Sequence, residues 1–219
     1  MLPVTASFDC RIGASSFLCD PLSAVWLTPE TAYRMRRPWR NQRSWSIVVD
    51  ERIAPARRSY IPVGVQSALL RWRAEQAAGQ CASLQLEERL VALVQAIVAP
   101  GDEQARSPHR AVERTREYFA ASPESNDTLD GIARTVHCSP FHLARMFRRH
   151  TGRSLHRYRT ELRMTRALSR LEQGESDLGR LAVDLGYSSH SHFTSTFRRT
   201  FGITPHQMRT NLTAPGLAI

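Results

Sequence analysis

The side chains with the most evident chemistry in this chain of 219 residues are arginines. Two arginine pairs each follow a phenylalanine, one at Phe147, Arg148 and Arg149 and the other at Phe197, Arg198 and Arg199. A guanidinium group binds two phosphate oxygens as a planar fork, so such pairs fit a polyanion surface. The sequence contains no lysine, and arginine supplies all 30 of its basic side chains.

The positive charge is concentrated in the second half of the chain. Residues 1–105 contain 12 arginines and 10 acidic residues, whereas residues 106–219 contain 18 arginines and 10 acidic residues. Most of the formal net charge of +10 therefore belongs to the second half. A concentrated positive field favours nucleic acid as a partner, because binding of phosphates releases condensed counterions.

The same half contains a duplicated unit. Positions from Ser139 onward have counterparts about 50 residues later, so that Ser139 corresponds to Ser189 and Gly152 corresponds to Gly202. Each copy is predicted to form a helix, a short turn and a second helix. A plain helical bundle would explain the apolar periodicity but neither the repetition nor the two arginine pairs. In a helix-turn-helix, the second helix presents its N-terminal residues to base edges in the major groove.

Apolar periodicity and capping residues predict seven helices in the second half. Asp127, Ser139, Asp177 and Ser189 are the expected N-caps, since their short polar side chains accept hydrogen bonds from free backbone amides. The expected helices span residues 109–121, 128–136, 140–150, 154–172, 178–185 and 190–200, with a last short helix from residue 205.

The rest of the chain divides into segments of different composition. Residues 1–66 contain short apolar runs separated by prolines, a pattern typical of β-structure. Residues 67–99 change to a helical pattern, whose apolar stripe either packs on the sheet or pairs with its copy in a second chain. Residues 100–108 form a polar linker, residues 109–212 a helical domain, and residues 213–219 a tail. The predicted fold is therefore mainly α, preceded by a small β-containing arm and a helical segment.

Several classes of protein are excluded by what the sequence lacks. His137, Cys138 and His142, or His190 and His192, do not offer the four convergent ligands of a tetrahedral metal site. The chain has no nucleophile elbow, no lysine for a phosphate-binding loop and no glycine fingerprint after a strand, so we expect no enzymatic activity and no cofactor. It also has no membrane-length apolar run and no signal segment. These features favour a cytoplasmic, nucleoid-associated protein.

Over residues 108–212 the sequence resembles the AraC/XylS-type bacterial transcription regulators. The resemblance rests on a long ordered signature rather than on one short motif. Its parts are Leu129, Ile132 and Ala133; Ser139, Leu143, Arg145, Phe147, Gly152 and Ser154; Tyr158, Arg163 and Ala167; and Ala182, Gly186, Tyr187, Phe193, Phe197, Gly202, Thr204 and Pro205. The resemblance implies two helix-turn-helix modules joined by a long helix, with double-stranded DNA and RNA polymerase as partners.

The resemblance also implies roles for individual residues. In the first recognition helix the base-reading residues would be Phe141, His142, Ala144 and Arg145, and in the second they would be His190, Ser191, Thr194 and Ser195. The phosphate contacts would be Ser139, Arg148, Arg149, Ser189, Arg198 and Arg199. Many family members have a longer side chain at the position of Ser195, so the second helix is expected to discriminate less between base pairs.

The arm departs from the family pattern. It looks like the later part of a cupin-like β-barrel, but residues 1–66 are too few to close a barrel around a ligand. We therefore expect no small-molecule effector, and the arm is either a reduced oligomerisation module or the remainder of a longer chain. A homodimer would form through residues 67–98. The predicted function is that of a sequence-specific DNA-binding transcription regulator, and the alternative is a non-specific architectural DNA-binding protein.

Overall fold

The computed structural model describes residues 7–36, 61 and 109–213, the strand backbones at 2–3, 44–45 and 57–60, and eight helical residues between 72 and 95. The chain forms two compact units. The first contains Met1–Ile61 and Ile97–Leu162, and the second contains Pro62–Ala96 and Arg163–Ile219. Each unit includes one helix-turn-helix module, and each is described below by itself.

Seven helices follow one another in residues 109–213, which confirms the predicted fold class of a mainly α protein with a small β-containing arm. Their apolar faces follow the periodicity of the sequence. The helices are α1 (Arg110–Ala121), α2 (Leu129–Thr135), α3 (Pro140–Thr151), α4 (Leu155–Glu172), α5 (Leu178–Asp184), α6 (His190–Phe201) and α7 (Pro205–Thr213). None of the described helices is long and apolar enough to cross a membrane.

The ends of helices α3 and α6 follow the predicted capping chemistry. The Ser139 hydroxyl accepts a hydrogen bond from the His142 amide at 3.3 Å, and the Ser189 hydroxyl accepts one from the His192 amide at 3.1 Å. Gly152 ends α3 with a φ of 69° in the left-handed region, where glycine has no steric penalty. The caps predicted from local sequence are therefore confirmed for α3 and α6.

The N-cap predicted for α2 is wrong. Thr128, rather than Asp127, precedes the helix, and its hydroxyl accepts a hydrogen bond from the Gly131 amide at 3.2 Å. Asp127 is engaged elsewhere, because its carboxylate accepts a hydrogen bond from the Tyr118 hydroxyl. Two adjacent residues can cap this helix, and the contact with α1 decides between them.

The first unit packs its module around aromatic side chains. Phe119 of α1 and Phe147 of α3 meet edge to face, with ring centroids 6.2 Å apart, and Tyr158 of α4 packs against Phe147 at 5.1 Å. All three side chains are buried, and Leu143 fills the same core. This packing fixes the buried side of α3 and leaves its other side exposed.

The second unit has an equivalent core. Phe193 and Phe197 of α6 are fully buried, as the repeat predicts from Leu143 and Phe147 in the first copy. Phe197 packs against Phe201 with ring centroids 4.4 Å apart. The small side chain of Ala182 lets α5 approach this core, as Ala133 does in the first module.

The arm consists of short antiparallel strands. A three-stranded sheet has the order β3 (Ser15–Cys19), β2 (Phe8–Ile12), β5 (Tyr33–Arg36), and β4 (Ser23–Trp26) pairs with β7 (Arg57–Tyr60). A further pair joins β1 (Leu2–Pro3) and β6 (Ser44–Trp45). Phe8, Cys10, Phe17, Cys19 and Val25 form its small buried core.

The helical segment predicted at 67–99 lies largely outside the described residues, as do the linker at 100–108 and the tail beyond residue 213. The eight described residues between 72 and 95 are helical, as predicted. Ala74 packs into the core of the second unit. The domain boundaries stay a prediction. The compact units group the arm with the first module rather than apart from it.

Candidate nucleic-acid interface

Helix α3, which the sequence predicts to be the first recognition helix, presents a polar and aromatic face to solvent. Phe141 is 78% exposed, which is unusual for a large apolar side chain. His142, Arg145, Arg148 and Arg149 are exposed as well. At the N-terminus of α3 the Ser139 hydroxyl occupies the His142 amide and Pro140 has no N–H group, and the partial positive charge of the helix end lies at this exposed turn.

The second recognition helix, α6, repeats this arrangement with smaller side chains. His190, Ser191 and Ser195 are exposed near its N-terminus, and Arg198 and Arg199 are exposed near its C-terminus. The Ser195 hydroxyl donates a hydrogen bond to the His192 carbonyl oxygen at 3.0 Å. Its donor capacity is therefore directed at its own helix, which fits the weaker base discrimination that the sequence predicts.

Two of the base-reading candidates are less accessible than the others. Ala144 is half-buried and packs against the core of the first module. Thr194 occupies the equivalent position in the second copy and is also half-buried. Its hydroxyl is buried without a hydrogen-bond partner among the described residues. Both positions therefore lie at the border between the exposed and the buried face of their helix.

The exposed arginines of α3 are not engaged within the described part of the chain. Arg145, Arg148 and Arg149 form no ion pair or side-chain hydrogen bond with any described residue, and the same holds for Arg198 of α6. Elsewhere in the first unit arginines are paired, as Arg157 is with Glu161 at 2.8 Å. Unpaired guanidinium groups on an exposed helix are available to an external anion such as a phosphate.

A histidine cluster borders the N-terminal side of this surface. His109 precedes α1, and its ring lies between the rings of His142 and His150, at centroid distances of 6.0 Å and 5.9 Å. Burial lowers the pKa of His109, and the neighbouring charges of His150 and His142 lower it further. The described residues contain no group of histidine, cysteine and acidic side chains that can hold a metal ion.

In the second module the turn between the helices is built around Tyr187. Its ring packs edge-on to His192 at 5.2 Å, and the guanidinium of Arg163 lies 5.4 Å from the ring centroid. Burial raises the pKa of Tyr187 to about 12, so the phenol stays neutral at physiological pH. This contact fixes His192 in the first turn of α6.

Sequence reasoning missed one pair of positioning residues. Arg159 on α4 donates hydrogen bonds to the carbonyl oxygens of Ser125 and Asp127, both at 3.0 Å, in the loop before α2. Arg209 on α7 donates to the Ser176 carbonyl oxygen in the loop before α5. The repeat itself contains the signal, because Arg159 and Arg209 are equivalent positions in the two copies.

Residues 132–211 match the helix-turn-helix domain family. The transcriptional regulator ArgR of Pseudomonas aeruginosa is 33% identical over 103 residues, which are 47% of this chain and 31% of ArgR. The multiple antibiotic resistance protein MarA of Escherichia coli K12 is 33% identical over 86 residues, which are 39% of this chain and 68% of MarA. A solved AraC-type regulator from Chromobacterium violaceum is 32% identical, with a TM-score of 0.44, over 48% of this chain and 95% of that chain.

The fold and the sequence matches to the family model and to MarA define a protein with a double helix-turn-helix domain. The chain belongs to the AraC/XylS-type family of DNA-binding transcription regulators, as its sequence signature indicates. ArgR and two further relatives are helix-turn-helix transcriptional regulators. The match covers only about a third of the length of ArgR and of two other curated regulators, at 31%, 34% and 31%.

Proposed function

We propose that this chain is a sequence-specific transcription regulator that inserts α3 and α6 into successive major grooves of double-stranded DNA. The observation that carries the proposal is the equivalence of the two helices. Each begins at a serine N-cap and ends at a left-handed glycine, and each presents exposed polar side chains and an arginine pair on the side away from its core. Such a helix fits the width of the major groove of B-DNA.

The first helix carries most of the proposed sequence discrimination. Arg145 is exposed, unpaired among the described residues and long enough to form two hydrogen bonds with a guanine edge. Phe141 is free to contact a thymine methyl group, and His142 lies beside it in the first turn. Ala144 contributes at most a close backbone approach, because it is half-buried.

The second helix would read DNA through His190, Ser191, Thr194 and Ser195. These side chains reach a shorter distance than arginine, so they select less strongly between base pairs. The phosphate contacts proposed for both modules flank the base-reading positions. They are the capping hydroxyls of Ser139 and Ser189 and the guanidinium groups of Arg148, Arg149, Arg198 and Arg199.

The alternative is a non-specific architectural DNA-binding protein, which would share the positive charge. Site selection from random double-stranded DNA with the full chain separates the two. We expect an enriched sequence that the chain binds at least about 1,000-fold more tightly than a scrambled duplex at physiological salt. Equal affinity for both duplexes, with the same salt dependence, would establish the architectural function instead.

Two further partners belong to the proposal. A homodimer through residues 67–98 would cover Val91, which is 55% exposed on that segment. Contact with RNA polymerase would follow from the regulatory role. Sedimentation of the wild type and of Val91→Arg tests the dimer, because a buried charge at a dimer contact shifts the equilibrium toward the monomer.

A further inference from the structure

A carboxylate of the arm is buried against the first module. Asp20 follows β3 and is 0% exposed. Its Oδ1 atom accepts hydrogen bonds from the Leu22 amide at 3.0 Å and from the Ser23 hydroxyl at 3.2 Å. Its Oδ2 atom lies 2.9 Å from Nη2 of Arg116 and accepts a hydrogen bond from the Tyr158 hydroxyl.

Arg116 of α1 completes this buried network. Its side chain is 0% exposed, and its Nε donates to the Tyr158 hydroxyl at 2.8 Å. Its Nη1 lies 3.0 Å from a carboxylate oxygen of Glu113, and its Nη2 lies 3.4 Å from the Ser23 hydroxyl. Because a buried charge without a partner is costly, Asp20 and Arg116 depend on each other.

A second contact joins the arm to the same module. Arg153 is 1% exposed, and its Nε lies 2.7 Å from Oε2 of Glu161. Its Nη2 donates to the Ile61 carbonyl oxygen, just after β7 of the arm. Leu22, beside Asp20, is buried in the apolar core of the first module. The arm therefore contributes both polar and apolar groups to this module.

The internal repeat shows which of these residues are particular to the first copy. Arg153 corresponds to Ile203 in the second copy, and Tyr158 corresponds to Met208. Ile203 and Met208 pack in the apolar core of the second unit. The two modules thus differ in polarity at the positions where the first module contacts the arm.

Tyr158 connects this contact to the recognition helix. Its hydroxyl donates a hydrogen bond to the Asp20 carboxylate, and its ring and that of Phe147 on α3 form a T-shaped pair with centroids 5.1 Å apart. Phe147 is fully buried and is the residue directly before the exposed pair Arg148 and Arg149. A loss of the Asp20 contact would remove the acceptor of the Tyr158 hydroxyl and loosen the support of α3.

We propose that the arm is a docked intramolecular partner of the first module, and that Asp20 is a positioning residue through which it holds the first recognition helix in place. The second module has no equivalent polar contact in its described residues and functions independently of the arm. The part of this inference that concerns DNA rests on the proposed function. The docking itself does not.

Hydrogen exchange of the full chain tests the docking, with Asp20→Asn as the variant and Asp9→Asn, an exposed carboxylate on β2, as the matched control. In Asp20→Asn we expect the amides of α1 and α3 to exchange about 100-fold faster, and those of α5 and α6 to be unchanged. The double variant Asp20→Asn with Arg116→Met should recover part of the protection, because it removes both charges of the buried pair, although Glu113 also loses its contact with Arg116. Unchanged exchange, or equal acceleration in both modules, would overturn the proposal.

The second readout is footprinting on a selected DNA site, at a temperature at which circular dichroism shows both variants folded. Asp20→Asn should bind one half-site about 10-fold more weakly than the wild type does, and it should protect the other half-site as the wild type does. General destabilisation does not produce this pattern. Equal loss at both half-sites would overturn the positioning role of Asp20. If the wild type binds no DNA, the proposed function fails while the exchange result still decides the docking.

Discussion

His137 and Gly186 have the same left-handed backbone conformation at equivalent points of the two helix-turn-helix turns. The φ of His137 is 55° and that of Gly186 is 75°. Glycine adopts this conformation without a steric penalty, whereas a residue with a Cβ atom is strained in it. His137 is the one residue other than glycine with such a φ in the described part of the chain.

The first prediction follows from this pair. His137→Gly should leave the free energy of unfolding unchanged or raise it by up to about 1 kcal/mol, because relief of strain offsets the extra freedom of the unfolded chain. The reciprocal change Gly186→Ala should lower it by about 1 kcal/mol. Urea unfolding followed by circular dichroism measures both. A loss of stability in His137→Gly would show that the imidazole makes a stabilising contact.

The elements of the second half could be predicted because their signals are local. Ser139, Ser189 and Gly152 each act within one turn of their own helix, so the sequence alone indicates where the helices begin and end. Asp127 shows the limit of such reasoning. Two neighbouring residues have the same local chemistry, and a contact with α1 decides which of them is the cap.

The buried contact between Asp20 and Arg116 could not be predicted from the sequence. The two residues are 96 positions apart in the chain, and no local pattern in the sequence relates one to the other. Only the packing of the arm on α1 brings them together. The repeat offered an indirect signal, because Arg153 and Tyr158 replace apolar residues of the second copy.

The second prediction concerns the loop before α2. Arg159→Ala should lower the free energy of unfolding by about 2 kcal/mol, because the loop loses two hydrogen bonds from a charged donor. Arg159→Lys should lower the free energy of unfolding by less, because both hydrogen bonds come from the single Nη1 atom and an ammonium nitrogen has enough N–H groups to donate to both carbonyl oxygens. Arg148→Ala, an exposed arginine without an ion pair among the described residues, is the control for urea unfolding. Equal stability of Arg159→Ala and the control would exclude a positioning role for Arg159.

The third prediction is a dependence of stability on pH. The pKa of His109 is lowered in the folded chain, so the native state binds fewer protons there than the unfolded state does. The contribution of this site is therefore fully present above the ordinary histidine pKa of about 6.5 and decreases as the pH falls toward the lowered value. Stability measured between about pH 7.5 and about pH 5.5 should decrease less steeply in His109→Asn than in the wild type.

His206→Asn, which removes an exposed histidine on α7, controls for the loss of a titratable group as such. Its pH profile should follow that of the wild type. Identical slopes for His109→Asn and the wild type would show that burial and the neighbouring histidines do not lower the pKa of His109 in the folded chain.

The fourth prediction separates base reading from phosphate binding. Arg145→Ala should weaken binding to the selected site by about 1–3 kcal/mol and relax the preference at one base pair. Arg148→Ala should weaken binding to all sequences and reduce the slope of log affinity against log salt by about one unit. Fluorescence anisotropy with matched and substituted duplexes measures both effects. A uniform loss in Arg145→Ala would make this residue a phosphate contact.

The last prediction concerns the spacing of the two half-sites. Helix α4 lies between the two modules in the chain and has 18 residues. At about 1.5 Å per residue it is roughly 27 Å long. With the widths of the attached modules, this length approaches the spacing of about 34 Å between successive major grooves on one face of B-DNA. A single chain would then read both half-sites without a dimer.

An insertion of about five base pairs between the half-sites rotates one of them by roughly half a turn. Because a continuous helix cannot follow this rotation, affinity should fall by about 100-fold, toward that of one module. An insertion of about ten base pairs restores the rotation but not the distance, so binding should stay weak. If both insertions bind as well as the native site, either α4 bends or α6 does not contact DNA. Arg198→Ala separates these outcomes, because it weakens binding to the native site only where the second module contacts phosphate.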